Sequence, residues 1–65
     1  SALREEKRRH VHVSCPDGEA KFWLSPTIAL ARSGGLDERT LNRIREIIDE
    51  RQGEIRDAWD RHFRA

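Results

Sequence analysis

The sequence has a single cysteine, Cys15, and no apolar segment long enough to cross a bilayer. One cysteine excludes an intramolecular disulfide and a metal site built from four thiolates, and it suits a reducing, cytoplasmic location. A membrane-spanning helix needs about 20 consecutive apolar residues, so we expect no membrane partner. Thirteen Lys and Arg against 12 Asp and Glu give a formal net charge of +1. This near balance does not indicate a generic polyanion-binding protein.

Sixty-five residues, 35% of them apolar, allow one domain with a small core. A chain of this length buries only about 60% of its unfolded surface, so its stability as a monomer is marginal. We therefore expect a homodimer. The charged run at residues 4–9 has no apolar periodicity, so residues 1–8 are predicted to be a disordered leader or an extension left from cloning, and residues 9–65 the domain.

Two alternating segments predict a β-hairpin. In residues 10–14, valines alternate with His10, His12 and Ser14, and in residues 19–24 the apolar side chains again occupy every second position. Pro16-Asp17-Gly18 between them is a turn sequence, with glycine suited to a left-handed conformation.

The register of this hairpin has two solutions. A three-residue loop with a bulge places His12 opposite Phe22 and Val13 opposite Lys21. Separating apolar from polar faces instead places Val11 opposite Phe22 and His12 opposite Lys21. We favour the first solution because it follows from the turn chemistry.

The rest of the chain predicts a short third strand or extended connection at 27–31, a loop at 33–35 and a C-terminal helix. Asp37 is the expected N-cap of that helix. From Glu38 to about Phe63 the apolar residues recur at steps of three, four and seven, which predicts one long helix, bent near Gly53. The predicted fold is α+β, a short antiparallel hairpin or meander packed on one long helix. The expected core consists of Leu41, Ile44, Ile48, Ile55 and Trp59 against Val11, Val13, Phe22 and Leu24.

His10 and His12 are the candidate catalytic residues. Side chains two apart on a strand project from one face, and histidines there suit acid–base chemistry on a phosphodiester. Arg9, Lys21 and Trp23 are the candidate binding residues. A metal site needs a third ligand, which the sequence does not supply nearby, so neither a metal nor another cofactor is expected. Cys15 is interpreted as a small buried apolar residue.

The order of several motifs resembles a known family. His-Val-His-Val at 10–13, Gly-Glu-Ala-Lys-Phe-Trp-Leu at 18–24 and Leu-Asn-Arg-Ile at 41–44, followed by Ala58-Trp59-Asp60 and Phe63, are similar to the small bacterial domain-of-unknown-function family 4160. The resemblance covers roughly residues 9–64. It implies the toxin-like half of a two-gene, toxin–antitoxin-like module, with a small antitoxin-like partner protein and an RNA or nucleotide target.

The N-terminal part departs from the family pattern. Members usually carry a further aromatic-rich strand and two prolines before the histidines. In this sequence Arg8 and Arg9 occupy the positions of the two prolines, and no strand-like segment precedes them. We therefore expect a truncated or divergent N-terminus that leaves the edge of strand 9–15 open. Two functions follow as hypotheses: an enzyme acting on RNA through His12 and His10, or a non-enzymatic protein-interaction module.

Overall fold

The computed structural model describes residues 8–64 as a three-stranded antiparallel sheet and two helices. The strands are β1 (His10–Cys15), β2 (Gly18–Trp23) and β3 (Ala29–Gly34), in the spatial order β1-β2-β3, and the helices are α1 (Glu38–Glu50) and α2 (Gln52–Arg64). The predicted α+β class and antiparallel meander are confirmed. The predicted leader lies outside the described residues except for Arg8.

The hairpin register is the one that separates apolar from polar faces. Val11 lies opposite Phe22 and His12 opposite Lys21, and only Pro16 and Asp17 lie between the strands. The favoured three-residue loop was therefore wrong. Aligning the valines of β1 with Phe22 and Ala20 puts these apolar side chains on one face of the sheet. A one-residue slip of β1 would turn its valines to the other face, so burial of apolar side chains outweighs the preference of the turn sequence for a three-residue loop.

Gly18 is consequently a strand residue, and the absence of a side chain there allows the backbone of Gly34 to approach closely. A Cβ at Gly18 would overlap the carbonyl oxygen of Gly34. Among the described residues, a positive φ occurs at Gly35, where φ is 77°. The predicted loop at 33–35 was too long, because Ser33 and Gly34 continue β3 by pairing with Ala20 and Glu19.

The C-terminal half forms two helices, so the prediction of one long helix was wrong. Asp37 is the N-cap of α1 as predicted, and its Oδ1 accepts a 2.8 Å hydrogen bond from the Thr40 N–H. Arg51, at φ −112° and ψ 18°, leaves the helical region and separates α1 from α2. The Gln52 side chain donates to the Asp49 carbonyl oxygen, a group that the end of α1 leaves available. The break precedes Gly53 by two residues.

The core lies between one face of the sheet and the helices. Ala20, Phe22 and Leu24 of the β2 segment and Ile48 of α1 are buried. Partly buried apolar residues surround them: Val11, Ile28, Leu36, Leu41, Ile44 and Ile55. Most of the predicted core is thus confirmed. Val13 and Trp59 are half-buried outside this cluster, while Ala20, Ile28 and Leu36 were not predicted to belong to it.

Candidate functional site: the outer face of the sheet

The sheet face opposite the one that buries Phe22 and Ala20 carries a row of basic side chains. The register aligns His12 of β1 with Lys21 of β2, and Lys21 with Arg32 of β3. Because residues opposite each other project on the same side, these three side chains form one transverse row, about 10 Å long at the usual strand spacing. We call the surface formed by His10, His12, Lys21, Trp23 and Arg32 the outer face.

His12 and Lys21 are especially close neighbours. The Leu24 N–H donates to the Arg9 carbonyl oxygen at 2.9 Å, so Arg9 and Leu24 form a hydrogen-bonded pair. Such pairs alternate with non-hydrogen-bonded pairs, whose Cα atoms are about 4.5 Å apart. His12 and Lys21 fall in a non-hydrogen-bonded position. His12 is exposed, so its imidazole and the Lys21 ammonium can contact the same ligand.

Trp23 orders two of the cations. The Lys21 Nζ lies 4.6 Å from the centroid of the Trp23 ring, and the Arg8 guanidinium carbon lies 4.1 Å from it. Arg8 is held in addition by a 3.0 Å hydrogen bond from its Nε to the Ser25 carbonyl oxygen. These cation–π contacts concentrate positive charge beside a half-buried indole.

His10 has a different environment from His12. It is only 7% exposed, and its Nδ1 lies 2.7 Å from the Arg8 carbonyl oxygen. A carbonyl only accepts, so Nδ1 is the protonated nitrogen in this contact. The ring also stands nearly perpendicular to the rings of His12, Trp23 and Trp59. Burial and these contacts hold the His10 ring in place between His12, Trp23 and Trp59.

Arg9 is separated from the other predicted binding residues. Its Nε and one Nη donate to the two carboxylate oxygens of Asp60 in α2, each at 2.8 Å. The hydrogen bond and the negative charge of Asp60 raise the pKa of Arg9 above its already high value. This guanidinium connects the sheet to the helix, so the structure does not bring it to the outer face with Lys21 and Trp23.

A groove of about 410 Å³ lies between β1 and α2, which we call the β1–α2 groove. Its walls are formed by His10, Val11, His12, Ile55, Ala58, Trp59, His62 and Phe63. The Nε1 of Trp59 is buried and has no hydrogen-bond partner among the described residues. Three histidines line the groove, yet within residues 8–64 no group of three or more His, Cys, Asp or Glu side chains is arranged to hold a metal ion. Cys15 is a half-buried free thiol.

Sequence reasoning missed Arg8 and Arg32. Arg8 belongs to a charged run without periodicity, and Arg32 follows the segment predicted as the third strand. Only the β2–β3 register aligns Arg32 with Lys21, because Ala31 is an extra residue in β3 that shifts the pairing by one. Strict alternation in the sequence would instead place Arg32 on the same face as Leu30, which lies opposite Phe22.

Charge is distributed unequally between the two layers. Residues 8–35, which include the sheet, carry four Lys and Arg against two Asp and Glu, a net charge of +2. Residues 36–64, which include the helices, carry seven against eight, a net charge of −1. The overall near-neutrality therefore conceals a basic sheet layer and a slightly acidic helical layer.

In the described part of the chain, neither helix is long and apolar enough to cross a membrane. No curated protein and no solved structure is significantly similar to the chain. The model of one protein family, described as Domain of unknown function (DUF4160), matches residues 2–60. Since this match spans most of the 65 residues and contains the strands and the outer face, the protein belongs to the DUF4160 family.

Proposed function

We propose that this protein binds single-stranded RNA on the outer face of its sheet. The observation that carries the proposal is the transverse row of His12, Lys21 and Arg32 beside Trp23. Proteins that bind single strands combine cations that follow the phosphate backbone with aromatic side chains on which bases stack. An open sheet face that presents both is a known solution for RNA. An RNA target also agrees with the expected cytoplasmic location.

The binding test compares two double variants that remove the same amount of charge. Lys21→Ala/Arg32→Ala removes two outer-face cations, and Arg39→Ala/Arg61→Ala removes two exposed cations of the helices. Anisotropy of a fluorescent oligouridine measures affinity as a function of salt concentration. For single strands, each phosphate contact contributes about −0.7 to the slope of log K against log salt. The Lys21→Ala/Arg32→Ala variant loses two such contacts, so its slope should be about 1.4 less steep than that of the wild type. The helical variant should retain the full slope.

Equal losses in the two variants would show that RNA responds only to net charge, and would contradict a site on the outer face. Circular dichroism melts of each variant establish that a loss of affinity does not result from unfolding. Absence of binding by the wild-type protein at low salt would also contradict the proposal.

A second candidate function is RNA cleavage, and the specific observation favouring it is the exposed His12 next to Lys21. Histidine is the side chain best suited to proton exchange near neutral pH, so His12 would abstract the proton of a 2′-hydroxyl. The 2′-oxygen would then bond to the adjacent phosphorus and displace the 5′-oxygen of the next nucleotide, which would take its proton from the His12 imidazolium or from water. The Lys21 ammonium would stabilise the charge that develops on the phosphorus oxygens. His10, being almost fully buried, would orient His12 rather than meet the substrate.

The toxin-like role belongs to the same proposal, with an antitoxin-like partner protein covering the outer face. We expect expression of the chain alone to arrest growth. If the mechanism is cleavage, His12→Ala should abolish the arrest, while Ser14→Ala, an exposed neighbour on the same strand, should leave it intact. Arrest that survives His12→Ala and also the double histidine substitution, in protein shown to be folded, would exclude the enzymatic mechanism and leave binding alone.

A further inference from the structure

The two edges of the sheet differ in how they are protected. Natural edge strands avoid unwanted pairing by means of charged residues, bulges, or a helix or loop that covers the edge. β3 has a charged residue and a bulge, with Arg32 in the strand and the extra residue Ala31 disturbing its ladder. β1 has no Asp, Glu, Lys or Arg and no bulge, because its sequence is His-Val-His-Val-Ser-Cys and its register with β2 is regular throughout. The helix α2 lies next to β1, but the groove of about 410 Å³ between them leaves this edge incompletely covered. An edge strand without Asp, Glu, Lys or Arg is unusual in a chain that is 38% charged.

The backbone of β1 presents hydrogen-bonding groups along this edge. The Leu24 N–H donates to the Arg9 carbonyl oxygen, so by alternation the N–H and C=O groups of Val11 and Val13 face β2. Those of His12 and Ser14 consequently point away from β2. Among the described residues, β1 has only β2 as a strand neighbour.

Apolar side chains border the same edge. The β1–α2 groove presents Val11, Ile55, Trp59 and Phe63 beside β1. Phe63 is 48% exposed, although its ring stacks on Trp59 with centroids 4.2 Å apart. A strand added along β1 would therefore gain backbone hydrogen bonds on the edge and an apolar surface under alternate side chains.

We propose that β1 pairs antiparallel with β1 of a second copy of this chain, which forms a symmetric dimer with a continuous six-stranded sheet. A strand without formal charges can lie against itself without opposing like charges at any register. A twofold axis perpendicular to the sheet keeps the helical layers of both copies on one side, so the valines of each β1 align with those of the other next to the groove.

The area that such a dimer must bury can be compared with the surface of one chain. A dimer interface of standard size buries roughly 800 Å² of each partner, about a sixth of the 4952 Å² that the chain exposes. A strand edge alone does not reach this area, so the groove wall formed by α2 must take part. Among the described residues, four apolar side chains are buried within one chain, and pairing supplies additional apolar burial. This inference is independent of RNA binding.

The decisive variant is Ser14→Pro, with Ser14→Ala as its control. Ser14 is exposed and its N–H points away from β2, so proline removes an outward donor and places its ring on the edge without breaking the β1–β2 ladder. Sedimentation equilibrium from about 5 to about 200 µM should show dimers for the wild type and for Ser14→Ala. Ser14→Pro should weaken dimerisation by at least tenfold and remain folded by circular dichroism.

Amide hydrogen exchange identifies the surface without any substitution. At concentrations where the dimer is populated, the His12 and Ser14 amides should exchange at least about 100-fold more slowly than in the dilute monomer. The Val11 and Val13 amides bond to β2 and should be protected at both concentrations. A monomer at about 200 µM, or a dimer in which the His12 and Ser14 amides stay unprotected, would overturn the proposal.

Discussion

Arg9 and Asp60, 51 positions apart in the chain, form a bidentate ion pair with both N–O distances at 2.8 Å. The pair connects the start of the sheet to α2. The two side chains are 41% and 28% exposed, so solvent screens the pair in part. Its importance is geometric, because it holds α2 beside the strand that carries His10 and His12.

Removing this pair should loosen the attachment of α2. We expect Asp60→Asn to lower the melting temperature more than Asp57→Asn. Asp57 is a neighbouring exposed carboxylate that acts on Arg9 through the attraction of opposite charges. A double-mutant cycle with Arg9→Gln, measured by chemical denaturation, isolates the coupling. The difference between the two variants should shrink in about 1 M salt. Equal melting temperatures at low salt would contradict the assigned role of Asp60.

Ile48 is the buried contact of the helical layer with the sheet, and it is 3% exposed. Ile48→Ala should reduce the free energy of unfolding by about 2–5 kcal/mol, because it removes buried methylene groups and leaves a cavity. Ile47, the adjacent residue, is 38% exposed, so Ile47→Ala should cost only about 0.5 kcal/mol. Urea denaturation measures both, and similar losses would show that the two isoleucines are equally buried.

Two glycines should respond oppositely to alanine. Gly18→Ala should be destabilising because the new Cβ would overlap backbone atoms of Gly34 and Gly35, which cannot move aside as a flexible side chain does. Gly53 lies in α2 with open space where a Cβ would stand. Gly53→Ala should therefore stabilise the protein by up to about 1 kcal/mol through the helix preference of alanine. Thermal melts compare the two variants, and a stabilising Gly18→Ala would refute the close approach.

The N-cap of α1 makes stability depend on pH in the acid range. The hydrogen bonds that Thr40 provides hold the pKa of Asp37 below its ordinary value. A group with a lowered folded pKa contributes stability that is fully present above the unfolded pKa, about 3.9 for aspartate, and is lost as the pH falls through the folded value. Asp37→Asn keeps a capping side chain that does not titrate.

We therefore expect the stability of the wild type to fall more steeply than that of Asp37→Asn below about pH 4. Denaturant titrations at a series of pH values test this expectation. Asp37→Ala serves as the control because it loses the cap, and its stability should be lower than that of Asp37→Asn at every pH. Parallel pH profiles for the wild type and Asp37→Asn would exclude a titrating cap.

Local chemistry in the sequence was enough to identify β1, β2 and the start of α1. Alternation of apolar residues defined β1 and β2, the Asp37 side chain marked the start of α1, and the helical spacing placed Ile48 toward the core. Each of these features depends on residues within a few positions of one another. The pairing of His10 with His12 on one face likewise followed from the strand period alone.

Contacts between different segments of the chain determined the features that local sequence did not predict. The hairpin adopted the register that buries Phe22 with Val11, because the gain in buried apolar surface exceeds the preference of Pro16-Asp17-Gly18 for a longer loop. The helix broke at Arg51 although the apolar phase continued past it. Arg8 and Arg32 joined Lys21 and Trp23 only through the β2–β3 ladder and cation–π contacts. Which cations share the outer face was therefore decided by tertiary packing, since it depends on free-energy differences that no single segment contains.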